Sequence, residues 1–138
     1  MAARLARQVE VGLAAVDLTL PQYRVLMYLD EGEVMASRLA DHLAVSRPTV
    51  TAVVDGLVMR GLVERSPDSD DRRRVSHTLT VRGRQALEAG DLSVEQRLRQ
   101  IAGHAQAASG VDRDVVGGLE CWRAALDEHR RTLLGRAR

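Results

Sequence analysis

The stretch SRPTVTAVVDGLVMRGLVERSPDSDDRRRVSHTLTVRG, residues 46–83, decides how the rest of the chain is read. Ser46 can accept an amide hydrogen of a first helical turn and Pro48 suits that turn, so a helix starts here. Val50, Val53, Val54 and Leu57 recur at spacings of three, four and seven and form its inner face. Gly61 supplies the left-handed residue that commonly ends a helix. Residues 62–65 then read as a short strand, 67–74 are too polar and turn-rich for anything but a loop tip, and 75–80 return as a strand. On the return strand Val75, His77 and Leu79 share one face and Ser76, Thr78 and Thr80 the other, the period of two of a half-buried strand.

Upstream, Thr19-Leu20-Pro21-Gln22 matches a capping box that opens a helix carrying Val25, Leu26 and Leu29 inward, until Gly32 breaks it. A short helix over about 36–43 buries Leu39, Ala40 and Leu43, and Ala44-Val45 makes the turn into the helix that Ser46 begins. The first helix, about 2–16, has one apolar stripe of Leu5, Val9, Leu13 and Val16, with Arg4, Arg7, Gln8 and Glu10 on its other face. Downstream, Leu87, Val94, Leu98, Ile101 and Ala105 form a helical seam that Ser109-Gly110 ends. Asp112 caps a further helix whose seam is Val115, Leu119, Trp122, Leu126 and Leu133. One small unit cannot cover three terminal stripes. Leu5, Val9, Leu13, Val115, Leu119, Trp122, Leu126 and Leu133 are therefore expected to interlock with a second copy of the chain.

Composition agrees with packed helices. Among 138 residues the aromatics are Tyr23, Tyr28 and Trp122, so the core must be aliphatic. No apolar run approaches the roughly 18 residues of a membrane span, and the N-terminus lacks a signal-peptide core. A cytoplasmic protein with no membrane partner is expected. The single cysteine, Cys121, excludes an intrachain disulfide framework and a cysteine-rich zinc site, and is expected to be buried beside Trp122. Asp68, Asp70 and Asp71 lack the glycine and the later glutamate of a calcium loop. His42, His77, His104 and His129 share no ligand spacing. No metal or cofactor is expected. Without a nucleophile–base constellation, phosphate loop or dinucleotide fingerprint, neither is an enzyme.

The net charge of +1 hides an uneven distribution. All 20 basic residues are arginine, and Arg72, Arg73 and Arg74 stand together at the predicted loop tip. Two helices joined by a tight turn and followed by a two-stranded ribbon make a winged helix-turn-helix. The fold class expected is mainly α with a small β-wing (α+β): a dimerisation helix over 1–17, the winged domain over 18–83, and C-terminal dimerisation helices over 84–138. Opposite the apolar stripe of the helix from Ser46 lie Pro48, Ala52, Asp55 and Met59, flanked by Thr49 and Thr51. Only the N-terminal turns of such a helix reach base edges, which selects Ser46, Arg47, Pro48, Thr49, Thr51 and Ala52. Arg38 and Arg60 bracket the helix as candidate phosphate contacts. A narrow A·T minor groove attracts guanidinium groups, the role expected of Arg72, Arg73 and Arg74. Asp71 is expected to pair with Arg73 and stiffen the wing, leaving Arg72 or Arg74 to enter the groove.

At 18–29 (LTLPQYRVLMYL), 38–65 (RLADHLAVSRPTVTAVVDGLVMRGLVER) and 70–83 (DDRRRVSHTLTVRG) the chain resembles the MarR family of transcriptional regulators. Asp71, Arg73, Leu79 and Thr80 match the family's wing motif. The resemblance implies a homodimer on palindromic double-stranded DNA, repression by occlusion, and release by a small ligand or an oxidant. Ala52 stands where relatives often carry arginine, and Gly56 where a basic or polar residue is common. Base readout by the helix would then fall to Ala52 and the methyls of Thr49 and Thr51 against thymine methyls, with more of the specificity carried by the wing and by DNA shape. His77 replaces a usual aliphatic residue. The function expected is a repressor relieved by a small apolar or aromatic effector, held in an aliphatic pocket near Met27, Met35 or the first helix. The alternative is a winged-helix protein-interaction module without DNA binding, which Ala52 and Gly56 favour and the wing arginines oppose.

Overall fold

The computed structural model describes residues 1–32, 36–67, 75–109, 121, 125 and 128. Its elements, in chain order, are α1 (Ala2–Ala14), α2 (Leu20–Asp30), α3 (Ala36–Leu43), α4 (Arg47–Met59), β1 (Val63–Pro67), β2 (Val75–Leu79) and α5 (Val81–Ser109). The architecture is mainly α with a two-stranded antiparallel wing.

The helix starts are written in local chemistry. At α2 the Thr19 side chain accepts the Gln22 N–H at 3.4 Å while the Gln22 side chain accepts the Thr19 N–H at 3.0 Å, so two otherwise orphaned amides satisfy each other's residue. Ser46 caps α4 in the same way, accepting the Thr49 N–H at 3.4 Å. Helix ends differ somewhat from the expected boundaries. α1 stops at Ala14 rather than Val16, because Asp17 turns left-handed (φ 57°) and the Leu18 N–H closes back on the Leu13 carbonyl at 3.0 Å. After α4, Gly61 (φ 67°) reverses the chain and the Leu62 N–H bonds the Leu57 carbonyl at 3.0 Å. Leu62 therefore belongs to that turn, and β1 extends to Pro67, which the sequence had assigned to the loop tip.

The chain has two compact units, 1–95 and 96–138, and α1 belongs to the same unit as the winged helix. The first unit has a single aliphatic core. Leu13, Val25, Leu26, Leu39, Val50, Val54, Leu57 and Val63 are all but inaccessible, and Leu18, Leu62, Leu79 and Leu87 join them. Full burial of each such side chain contributes roughly 1.5–3 kcal/mol. α2 packs on both α3 and α4, β2 lies on α2, and β1 follows α4. The expected inner faces of α2, α3 and α4 are the observed ones, except that Val53 is only partly buried.

Leu13 requires a correction. The sequence placed it on a surface awaiting a second copy, yet it is 0% exposed within its own subunit. Leu18, Tyr23 and the close approach of Gly90 on α5 cover it, so it cannot reach a partner. Of the same stripe, Val9 is partly buried against the core and Leu5 remains 41% exposed.

α5 is joined to the wing by a close approach. The Thr80 hydroxyl donates to the Gly61 carbonyl at 2.8 Å and accepts the Gly83 N–H at 3.0 Å. A Cβ on Gly83 would lie 2.0 Å from the Leu62 carbonyl oxygen, so no other residue fits without moving backbone. Further along, the Tyr23 hydroxyl on α2 donates to Asp91 at 2.5 Å. Burial, reinforced by that carboxylate, pushes the phenol well above its ordinary range and keeps it protonated. The Ser93 hydroxyl of α5 donates to the Gly12 carbonyl of α1 at 2.7 Å.

In the second unit Leu98 and Ile101 are half-buried. Cys121, Ala125 and Glu128 are helical, spaced as one stripe, and all exposed. Cys121 is thus on an outward face, not buried as the sequence suggested. Val115, Leu119, Trp122, Leu126 and Leu133 lie outside the described residues, as do Met35 and His129.

Candidate nucleic-acid interface

α3, its turn and α4 form the helix-turn-helix. Ala44 takes the left-handed conformation (φ 54°) that folds the chain tightly between them, and the Val45 N–H bonds the Ala40 carbonyl at 3.2 Å. α4 is then fixed by its buried stripe of Val50, Val54 and Leu57. The opposite side is what the stripe predicts. Ser46, Arg47, Pro48, Thr49, Thr51 and Ala52 are all exposed, and they occupy the cap and first turns.

The polar groups at this end are ordered by bonds within the helix. The hydroxyls of Ser46 and Thr49 lie 2.8 Å apart, and Thr51 donates to the Arg47 carbonyl at 3.0 Å. These bonds restrict the hydroxyls of residues that remain exposed. The positive end of the helix dipole still favours an anion at this terminus, although Pro48 has no amide hydrogen and the Thr49 N–H is taken by Ser46. Gly56 has open space where a side chain would stand, leaving a gap on that flank.

Farther along α4, the outward Asp55 forms an ion pair with Arg65 of β1, which links the helix to the wing. The sequence reading placed Asp55 on the outer face but did not find this partner. Ten residues separate the two across a helix end and a turn, and no local rule joins them.

Arg60, expected to contact phosphate, is otherwise engaged. Its guanidinium donates to Asp17 at 3.1 Å and to Gln22 at 3.4 Å. It therefore fastens the C-terminal end of α4 to the turn between α1 and α2, and those acceptors compete with any phosphate. Arg38 is exposed on α3. Asp71, Arg72, Arg73 and Arg74 lie outside the described residues, between the paired ends Pro67 and Val75 of the two strands.

The ribbon that carries them is regular. β1 and β2 pair from Val63↔Leu79 to Pro67↔Val75 without a bulge. Leu79 and His77 face inward, at 7% and 4% exposure, while Val75 is half exposed toward the tip. Across the outer face the hydroxyls of Ser66 and Ser76 meet at 2.9 Å, and Thr78 donates to Glu64 at 3.4 Å. His42 stacks on Tyr28 with ring centroids 4.9 Å apart, and the Arg24 guanidinium donates to the His42 carbonyl at 3.1 Å, bracing α3 on α2. Among the described residues no cluster of three metal-ligating side chains occurs, and no helix is long and apolar enough to cross a membrane.

This arrangement of helix, tight turn, exposed helix tip and ribbon defines a winged helix-turn-helix. Residues 16–74 match the MarR family model. The chain is 40% identical over 83 residues to the transcriptional regulator AdcR of Streptococcus pneumoniae, a match that covers 60% of this chain and 57% of that regulator's own length. In three dimensions it resembles wild-type MarR of E. coli, with a TM-score of 0.72 and 27% identity over 91% of this chain and 89% of the other. It also resembles the transcriptional repressor CouR bound to a 23-mer DNA duplex, with a TM-score of 0.67 and 28% identity over 91% and 86% of the two chains. Residues 16–74 thus match the MarR family, and the chain shares the fold of that family's solved members.

Proposed function

We propose that this chain is a sequence-specific double-stranded DNA-binding regulator, acting as a homodimer that represses by occupying a palindromic promoter site. The observation that carries the reading is the tip of α4. Its buried stripe fixes the helix while Ser46, Arg47, Pro48, Thr49, Thr51 and Ala52 remain exposed beside a regular β-ribbon. Such a tip enters a major groove, and Arg72, Arg73 and Arg74 at the end of the ribbon would reach the adjacent minor groove. The DNA-bound state of CouR supports the same use of the fold. Leu5 together with Val115, Leu119, Trp122, Leu126 and Leu133 would supply the dimer seam.

Relief by a small molecule is part of the proposal. A mainly aliphatic cavity of about 220 Å³ lies beside the first turns of α4, lined by Leu20, Pro21, Leu43, Val45, Val50 and Val53, with Glu10, Arg24 and Thr49 among its walls. A small apolar or aromatic effector held there would press on the inner side of the reading helix.

The deciding experiment titrates the purified chain into labelled duplexes, the intergenic DNA beside its gene and an unrelated sequence, across a range of salt. Log K for the intergenic duplex should fall linearly with log salt, by about 0.9 for each phosphate neutralised. Absence of binding to either duplex at low salt would overturn the reading in favour of a protein-interaction module.

A further inference from the structure

Asp55 is in the wrong place for a residue with no task. It lies on the outward stripe of α4 with Pro48, Ala52 and Met59, the side that the proposed function turns toward DNA, where a carboxylate repels phosphates. Its partner Arg65 stands on β1, beyond the Gly61 reversal. The two side chains are 49% and 40% exposed, so the attraction between them adds little to stability.

Their value lies in what they join. A two-stranded ribbon is marginal by itself and must be held by neighbours. At its inner end the wing is fixed by Leu62, Val63 and Leu79 in the core, and by the Thr80 hydroxyl on the Gly61 carbonyl. Farther out, His77 of β2, opposite Arg65, is still buried on the inner face, whereas Glu64, Arg65, Ser66 and Pro67 of β1 are all exposed, and the hydroxyl bonds between Ser66 and Ser76 act only within the ribbon. The Asp55–Arg65 pair ties the outer face of β1 to α4.

We infer that Asp55 and Arg65 are positioning residues, a strut that sets the angle between the reading helix and the wing so that both engage one duplex together. The inference rests on the DNA-binding reading. It differs from two simpler roles, Asp55 as a charge that weakens all DNA binding and Arg65 as a plain phosphate contact.

Charge separates these roles, because Asp55→Asn and Arg65→Gln change it in opposite directions. The test uses the full chain, a duplex enriched by the wild-type protein from a randomised pool, and an unrelated duplex of equal length. As a strut, each single variant lowers the preference for the enriched duplex by on the order of tenfold. The double variant then falls no further than either single, the non-additivity of partners in one interaction. Asp55→Glu, which can still reach Arg65, keeps most of the preference. Minor-groove protection flanking the site should weaken in the single variants while the major-groove footprint persists, a change that a general loss of stability would not produce.

Tighter binding of Asp55→Asn to both duplexes, with the preference unchanged, would overturn the strut, as would additive losses in the double variant. Failure of the wild-type chain to enrich any duplex would sink the DNA-binding reading itself. Failure of the variants alone would sink only the strut.

Discussion

The first turns of α4, Arg47 to Ala52, and its last turn with the C-cap, Asp55 to Arg60, share one helix but are held by different means. At the first end the side-chain bonds of Ser46, Thr49 and Thr51 close on the helix itself, and only Val50 is anchored in the core. At the second end Leu57 is buried, Asp55 is tied to β1, and Arg60 is tied to the α1–α2 turn and the α2 cap. The helix is thus clamped at its rear on three elements and presented at its front. Anchoring the rear in the core while the front is ordered only within the helix leaves the tip both fixed and exposed.

Three substitutions probe that contrast. Leu57→Ala removes the main rear anchor and should cost about 2–5 kcal/mol in urea unfolding. A loss below about 1 kcal/mol would show that the rear of the helix is not what holds it. Ser46→Ala strips the front cap and should cost about 1 kcal/mol, because one helical amide loses its acceptor. An unchanged midpoint would mean that water replaces the hydroxyl fully and the front needs no cap. Gly56→Ala should act in the opposite direction, raising stability by about 0.4–1 kcal/mol, since glycine is a poor helix former. Nothing stands within 4 Å of the added methyl. A destabilised Gly56→Ala protein, measured by thermal unfolding, would reveal that the junction between front and rear must bend.

Much of the site was legible before any coordinates. Thr19-x-x-Gln22 and Ser46 announced two helix starts because a cap acts within one turn of its own residue. The stripe of Val50, Val54 and Leu57 named the inner side of α4, and by exclusion the exposed tip. The inward face of β2, His77 and Leu79, followed from alternating residues, whereas the register with β1 did not. Arg60 was read as a candidate phosphate contact, and no local rule could show that Asp17, 43 positions earlier, lies against it. Leu13 was misread because a stripe shows that a face is covered but not by what. The left-handed Asp17 turn and the approach of α5 at Gly90 supply that cover within the subunit. Thr80 carried a signal that was available, a hydroxyl residue just before a helix, but its bond to Gly61 joins positions 19 apart.

By itself the sequence determined where helices start, which of their sides are apolar, and that a ribbon with an arginine-rich tip follows the last helix of the motif. Those features depend on neighbours a few residues away, whose spacing the chain fixes covalently. Only the tertiary structure decided that Asp55 braces β1, that Arg60 belongs to the α2 cap, and that Gly83 must be glycine. Each depends on where a distant backbone comes to rest, and that position is set by the packing of the whole core rather than by any local pattern.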